Sequence, residues 1–312
     1  VVGAFSWLLR KFMNISGAEG LVTSGNIFMG MTESPVLIKN YLPTMNRSEI
    51  FLVMVSGMGT IAGSVMGTYI GMLGGTDPAA KVLFATHLLS ASVMAVPGSI
   101  VLAKMLCPQT EEATDHVAIS GKEKENSNIL DAISSGTVTG VKLMTNIAAM
   151  LLVFISLVAL ANYITEGVIG RYTGLNDWIV KITDGKAQGL TFQFILGVIT
   201  SPFMWLIGVP SQDIMLVGSL LGQKTILNEF VAYFQLQQWK DAGLFMYEKS
   251  ILMSTYILCG FANISSIGIL LGGLGVLAPE KRGLISRIGV PAMIGGALVS
   301  VLSATIIGMI LG

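Results

Sequence analysis

Long uncharged stretches recur along this chain and leave few soluble folds open to it. They cover residues 50–76, 82–103, 143–165, 187–212, 250–279 and 288–312. A membrane-spanning helix needs about 20 mainly apolar residues, so each stretch qualifies by its length. Pro202, Gly208 and Pro210 interrupt the stretch 187–212. We therefore predict five spanning helices and leave that one stretch undecided.

The composition favours the same class of protein. Hydrophobic residues make up 53% of the chain, charged residues 12%, and the mean hydropathy is +0.74. Soluble domains contain about 25% charged residues. We predict an all-α integral membrane protein in contact with the lipid bilayer. The formal net charge of zero and the lack of a basic cluster argue against nucleic acid as a partner.

The start of the chain and its two cysteines allow two further predictions. The sequence begins at Val1 without an initiator Met, and the apolar segment 1–9 is too short to span a membrane. We therefore expect further helices to precede these residues. Cys107 and Cys259 lie in or beside hydrophobic stretches, which predicts small buried side chains rather than a disulfide or metal framework.

Two parts of the chain follow the same order of features. Residues 5–9 (FSWLL) recur as residues 203–207 (FMWLI). An acid, a Gly and a second acid follow each copy: Glu19, Gly30 and Glu33, then Asp213, Gly222 and Glu229. An odd number of crossings between equivalent points would give the two parts opposite orientations, and the distribution of Lys and Arg agrees with a positive-inside topology. The sequence thus predicts an inverted repeat.

Segments 20–47 and 211–240 are too interrupted for one clean span and too apolar for surface loops. We predict that each forms a re-entrant helix-turn-helix, called hairpin 1 and hairpin 2. Non-helical backbone at membrane depth is tolerated only where it is buried in protein or lines a cavity. Two opposed hairpins with broken helices are typical of an inverted-repeat secondary transporter whose site lies near the bilayer midplane.

From these features we predict that the chain is divided into three parts. Residues 1–107 form the first transport-domain repeat, with an interfacial helix, hairpin 1 (20–47), a broken transmembrane helix (50–73) and a helix (82–104). Residues 108–170 hold a polar linker and a long scaffold helix (136–165). Residues 171–312 form the second transport-domain repeat, with an interfacial segment, hairpin 2 (211–240), a broken helix (250–277) and a helix (288–311).

Polar residues inside these apolar segments mark a candidate site, because buried charge in a membrane is costly and usually functional. Glu33 precedes Pro35, which must end or kink a helix since it has no N–H to donate. Glu229 follows Asn228, and together they offer acceptors and donors suited to sugar hydroxyls or base edges. A structural role for either Glu, as the partner of Lys224 or of a helix end, stays open.

Two further segments are predicted to unwind locally and expose carbonyl oxygens. They are residues 57–63 (GMGTIAG) and 261–266 (FANISS), which occupy equivalent places in the two repeats. An Asn in the middle of an apolar stretch is costly unless it is hydrogen-bonded. Carbonyl and hydroxyl oxygens without a carboxylate suit a hard monovalent cation such as sodium.

The motifs resemble those of one transporter family. Residues 222–233, read as G-x-K-x-x-x-N-E-F-V-A-Y, resemble the signature of the concentrative nucleoside transporters, and residues 26–35 and 259–267 are similar to that family's other characteristic stretches. The likeness covers essentially the whole chain. It implies a sodium-coupled symporter, not an enzyme, that imports nucleosides such as uridine by alternating access. It also implies a homotrimer in the bacterial inner membrane.

The resemblance also implies the substrate-binding residues. The tip of hairpin 1 would contact the nucleobase through Met31, Thr32 and Glu33. The ribose would be held by Glu229, Asn263 and Ser266, and Phe261 would line the pocket. The family usually has Gln in place of Met31, whose thioether accepts hydrogen bonds weakly and donates none. Met31 is therefore a weak candidate for a direct base contact.

By the same resemblance, sodium as the coupling ion would lie between hairpin 1 and the first broken helix. Its ligands would be the Asn26 side chain, the Met29 carbonyl, the Thr60 hydroxyl and carbonyl, and the Ile61 carbonyl. Thr60 stands where Ser is common in the family and keeps the hydroxyl group.

Three other functions stay open at this point. A proton-coupled nucleoside symporter could use Glu33 or Glu229 to carry the proton. An intramembrane enzyme could use Ser211 or Ser265 beside an acid, but the sequence shows no base–nucleophile spacing or metal motif. A passive channel would not need paired broken hairpins.

Overall fold

The computed structural model describes residues 2–111 and 187–312, together with residues 128, 130–131, 133–134, 137–138, 141, 152–153, 156–183 and 185. The chain divides into two compact units, Val1–His116 with Gln193–Gly312 and Val117–Phe192. The regular structure of the described residues is helical. Most of the predicted polar linker and half of the scaffold helix predicted at 136–165 lie outside the described residues.

The first part of the larger unit contains five α-helices and a short 3-10 helix, Ser34–Ile38. The α-helices are α1 (Val2–Met13), α2 (Gly17–Gly25), α3 (Arg47–Gly59), α4 (Gly63–Gly74) and α5 (Pro78–Leu106). Side chains satisfy the first free N–H groups at three of their starts, because Ser16 and Asn46 form capping boxes and Asp77 caps α5.

The smaller unit includes a π-helix, Tyr163–Gly170, which continues through Arg171–Thr173 to α6 (Leu175–Ile182). The Asn176 side chain donates to the Glu166 carbonyl and accepts from the Leu190 N–H, both at 3.0 Å. Residues 171–192 belong to this compact unit. The predicted division into two transport-domain repeats stays a prediction.

The second part of the larger unit repeats the order of the first. It contains α7 (Phe192–Leu206), α8 (Ile214–Ile226), α9 (Glu229–Asp241), α10 (Glu248–Leu258), α11 (Ile264–Leu277), a 3-10 helix (Pro279–Lys281) and α12 (Arg282–Ile310). The range predicted as one broken helix, 250–277, therefore comprises most of α10 and all of α11. The equivalent range 50–73 comprises most of α3 and α4.

The two predicted hairpins differ in local structure. In hairpin 2, only Leu227 and Asn228 separate α8 from α9, and the Asn228 side chain accepts from the Val231 N–H at 2.9 Å. In hairpin 1, α2 ends at Gly25 and the second arm is the 3-10 helix followed by turns, not an α-helix. Pro35 accounts for this in part, since it cannot donate the N–H that an α-helix would use there. How deeply either hairpin enters a membrane stays a prediction.

Small residues allow α12 to pack tightly against α3. A Cβ atom added at Gly296 would lie 2.7 Å from the Cβ of Met58, and one added at Gly295 would lie 2.9 Å from Val55. Apolar side chains gain little by leaving lipid for another helix, so close van der Waals packing through small residues stabilises helix pairs in membranes. α12 therefore packs closely against α3, the first half of the first broken helix.

Three helical segments of the described residues are long and apolar enough to cross a membrane. They are Arg47–Gly74, which contains α3 and α4, Pro78–Leu106, and Pro279–Ile310. The apolar helices α7, α8 and α11 are shorter. Of the five predicted spans, the stretch 143–165 is described only at residues 152–153 and 156–165, and 250–279 is divided between α10 and α11.

Two buried acids fix the starts of the hairpins. Glu19 in α2 accepts from the Ser16 N–H and forms an ion pair with Lys104 of α5. Asp213, which is 0% exposed, accepts from the N–H groups of Met246 (3.0 Å) and Tyr247 (3.1 Å) just before α10. Each acid therefore ties the first arm of its hairpin to a distant part of the larger unit.

Asp213→Ala is expected to destabilise the protein because it leaves two backbone N–H groups without their acceptor. The expected loss is about 2 kcal/mol of unfolding free energy, seen as a lower melting temperature of the detergent-purified protein. Asp213→Asn keeps one acceptor oxygen and should cost less. The control is Asp241→Ala, which removes an exposed ion pair with Lys240 and should cost under about 1 kcal/mol. Equal melting temperatures for the two Ala variants would contradict the assigned role of Asp213.

Candidate functional site

The two helix breaks of the larger unit lie against each other. The Phe261 N–H, in the break between α10 and α11, donates to the Thr60 carbonyl, in the break between α3 and α4, at 3.2 Å. Gly260 permits this approach, because an added Cβ there would lie 3.0 Å from the Met58 carbonyl oxygen. The site is therefore built around two non-helical segments that supply each other with a backbone partner.

Glu229 is the centre of a buried polar cluster beside the second break. It is the first residue of α9 and is 7% exposed. Its Oε2 accepts from the Asn263 side-chain amide at 3.0 Å, and its Oε1 accepts from the Tyr69 hydroxyl at 3.3 Å. The structure therefore fixes both carboxylate oxygens as acceptors. Each oxygen still has a further lone pair with which to accept a hydrogen bond from a bound molecule.

Asn263 connects this carboxylate to the start of α11. Its side-chain oxygen accepts from the Ser266 N–H (2.9 Å), the Ser266 hydroxyl (3.0 Å) and the Ser265 hydroxyl (2.6 Å). Asn263 thus caps α11 with its oxygen while its nitrogen orients Glu229. The structure brings together the three residues that the resemblance implied for ribose binding: Glu229, Asn263 and Ser266. Phe261 lies in the same break and is half-buried.

Tyr69 of α4 is a site residue that the sequence analysis missed. It is fully buried, and its ring stacks on Tyr233 of α9 with centroids 4.2 Å apart. A buried Tyr hydroxyl needs a hydrogen-bond partner, and in this structure the partner is Glu229. The only available sequence signal was a hydroxyl in the middle of an apolar stretch. Nothing in that stretch indicated which distant residue it would meet.

The turn of hairpin 1 is held by its own polar groups. Glu33 is exposed, and its Oε2 accepts from the Gly30 N–H at 3.0 Å. No hydrogen bond joins Glu33 to Glu229 within the described ranges. Met31 is buried against Gly57 of α3, while half-buried Thr32 lies against Gly273 of α11. The three residues predicted for base contact therefore differ in exposure, and Glu33 is the most accessible.

The residues predicted as sodium ligands lie around the first break. Asn26 is buried, and its amide donates to the Ser56 hydroxyl of α3 at 2.9 Å. The Thr60 hydroxyl donates to the Ser56 carbonyl at 2.9 Å, and Ile61 is fully buried. The Gly63 N–H donates to the Phe28 carbonyl at 3.1 Å, which joins the hairpin 1 turn to the break.

The chemistry of these predicted ligands suits a sodium ion. The groups are neutral oxygens: an amide oxygen, a hydroxyl and backbone carbonyls, at the C-terminal end of the half-helix α3. Discontinuous membrane helices use such ends and unwound carbonyls to coordinate sodium. Met29, whose carbonyl was predicted as a ligand, lies in the same turn and is half-buried.

Comparisons with known proteins identify the family of this chain. Residues 87–308 match the family model for the C-terminal part of Na+-dependent nucleoside transporters, and residues 1–76 match a nucleoside recognition model. An uncharacterized transporter of Haemophilus influenzae is 38% identical over 100% of this chain and 70% of its own length. Sodium/nucleoside cotransporter 1 of Rattus norvegicus is 38% identical over 99% of this chain, which spans 47% of that protein.

Solved structures of one transporter, CNTnw, match as well. CNTnw in an inward-facing, substrate-bound state is 34% identical, with a TM-score of 0.83 over 100% of this chain and 69% of that one. A CNTnw variant in an outward-facing state has a TM-score of 0.85 at 34% identity over 99% of this chain and 69% of that one. The chain thus spans about half the length of the rat relative and 70% of the Haemophilus influenzae relative. It belongs to the concentrative, sodium-dependent nucleoside transporter family, whose members are transporters and not enzymes.

Proposed function

We propose that this protein is a sodium-coupled symporter that imports nucleosides such as uridine across the bacterial inner membrane. The observation that carries the proposal is the contact between the two helix breaks. The first break holds Thr60 and Ile61 of the predicted sodium ligands, and the second holds Asn263, which donates to Glu229. The rat relative's name supports sodium as the coupling ion and nucleoside as the substrate.

The Glu229 cluster is suited to a ribose. Adjacent hydroxyls of a sugar can donate to a carboxylate and accept from or donate to an amide and a hydroxyl. We assign ribose binding to Glu229, Asn263 and Ser266, with Phe261 lining the pocket. Tyr69 positions the carboxylate through its hydroxyl. Because its hydroxyl donates to the Glu229 carboxylate, we assign Tyr69 the role of orienting Glu229.

The base half of the site is assigned to the turn of hairpin 1. Glu33 and Thr32 are accessible enough to contact a nucleobase, whereas Met31 packs against Gly57. We therefore assign the polar base contacts to Thr32 and Glu33 and an apolar contact to Met31. The same turn carries Asn26 and Met29, so a sodium ion held there would order the segment that touches the base.

The transport cycle is proposed to be alternating access in a homotrimer. Support for alternating access comes from CNTnw, whose structures in inward-facing and outward-facing states both match this chain. The trimer rests on the family resemblance. Sodium would tighten nucleoside binding, and by linkage nucleoside would tighten sodium binding by the same factor.

Uptake of radiolabelled uridine into proteoliposomes of the full-length protein tests this function. An inward sodium gradient should drive accumulation above the external concentration, and replacement of sodium by choline should abolish it. Accumulation driven by a pH gradient without sodium would show that the coupling ion is the proton. Sodium-independent equilibration without accumulation would indicate a channel. Either result would overturn the proposal.

Glu229→Gln should weaken uridine binding by at least about tenfold, or ~1.4 kcal/mol, because one amide nitrogen replaces an acceptor oxygen. The measurement is the KM for uridine at saturating sodium. Glu248→Gln, at an exposed position that begins α10, is the matched control and should leave KM unchanged.

Tyr69→Phe should raise the KM by a smaller factor than Glu229→Gln, since the ring stack on Tyr233 survives and only the orienting hydroxyl is lost. An unchanged KM in Glu229→Gln, for protein that is folded as judged by its elution profile, would remove the ribose assignment.

Thr60→Val should raise the sodium concentration for half-maximal uptake about tenfold, equivalent to ~1.4 kcal/mol. The substitution keeps the shape and the backbone carbonyl but removes the hydroxyl ligand. Thr68→Val, on an exposed face of α4, is the control. If both variants show the sodium dependence of the unmodified protein, the Thr60 hydroxyl is not a sodium ligand.

A further inference from the structure

Lys224 is a buried lysine that the proposed function does not use. It lies in the last turn of α8, in hairpin 2, and is 0% exposed. In the part of the chain that the structure describes, its ammonium forms no direct ion pair with a carboxylate, and Glu229 attracts it only from a longer distance. A buried charge is unfavourable unless surrounding groups compensate it. The position therefore requires an account of what its charge does.

One partner of Lys224 is a carbonyl in the last turn of a half-helix, and the other is a hydroxyl of α12 that bonds to the same helix end. Its Nζ donates to the Ile257 carbonyl at 2.8 Å and to the Ser300 hydroxyl at 2.9 Å. Ser300 in turn donates to the Cys259 carbonyl at 3.1 Å. Ile257 is in the last turn of α10, and Cys259 directly follows that helix. The last carbonyls of a helix lack intrahelical partners and carry partial negative charge, which a cation stabilises.

The first repeat has a comparable arrangement with a different polar group. Asn26 follows the end of α2, the first arm of hairpin 1, and its amide donates to the hydroxyl of Ser56 in the last turn of α3. Lys224 lies in the last turn of α8, the first arm of hairpin 2, and its ammonium donates to the carbonyl of Ile257 in the last turn of α10. In each repeat, a side chain from a hairpin arm thus lies at the C-terminal end of the half-helix before the break.

We propose that the Lys224 ammonium is a built-in cation that takes, in the second repeat, the place that sodium takes in the first. The inference rests on the sodium site of the proposed function. Both half-helix ends then carry a positive charge, but only the sodium can leave. The half-helix end of the second repeat therefore always carries its positive charge, while that of the first carries it only when sodium is bound.

Chemical rescue of Lys224→Ala tests this role without using transport. The variant should melt several degrees lower than the unmodified protein in detergent. n-Propylammonium chloride should restore most of the loss, because the small amine fits the vacated space and supplies the charge. Tetramethylammonium chloride at the same concentration, which cannot donate a hydrogen bond, should not. The unmodified protein should respond to neither salt.

Lys224→Met separates charge from volume. It fills the space without an ammonium, so it should also melt lower and should not respond to n-propylammonium. The exposed Lys81→Met is the control and should match the unmodified protein. Wild-type stability of Lys224→Met, or an Ala variant that n-propylammonium does not restore, would overturn the proposal.

The sodium dependence of uptake gives a second readout. Lys224→Ala should show a steeper sodium activation curve than the unmodified protein, because the emptied position can accept a second sodium. A curve of unchanged steepness in a folded, active Lys224→Ala would count against a cation site there. Failure of the unmodified protein to show any sodium-driven uptake would instead refute the proposed function, and the stability measurements would still stand.

Discussion

The hydrogen bond between the Phe261 N–H and the Thr60 carbonyl is the interaction on which the architecture depends. Each helix break frees backbone N–H and C=O groups in an apolar interior, where an unsatisfied group costs several kcal/mol. Because the two breaks are in contact, one N–H of the second break finds its acceptor in a carbonyl of the first. Gly260 makes the approach possible because it has no Cβ. Two open helices can then persist at one point, and both candidate sites are arranged around it.

This contact also places the two proposed binding functions within reach of each other. The predicted sodium ligands lie around the first break, and Asn263, which donates to Glu229, lies in the second. A cation that orders the first break would therefore act on the backbone that holds the second. Coupling between ion and nucleoside would follow from the shared hydrogen bond, without a long path through the protein.

The two repeats meet the same physical requirement with different side chains. The acid at the start of each hairpin is satisfied by Lys104 in the first repeat and by two backbone N–H groups in the second. The half-helix end is reached by Asn26 in the first and by Lys224 in the second. The requirement that buried charges and free carbonyls find partners is common to both repeats, and each repeat meets it with the groups its own neighbourhood supplies.

By itself, the sequence determined the membrane class, the helix breaks and the motifs, because uncharged length, Gly, Asn and Pro act locally. Glu229, Asn263 and Ser266 could be chosen from motifs alone. Only the tertiary structure decided the distant contacts: that Tyr69 donates to Glu229, that Lys224 donates to a carbonyl and a hydroxyl rather than to a carboxylate, and that Glu33 stays exposed. Such contacts join residues far apart in sequence, and no local pattern specifies them. They depend on how the half-helices cross, which packing through residues such as Gly296 sets.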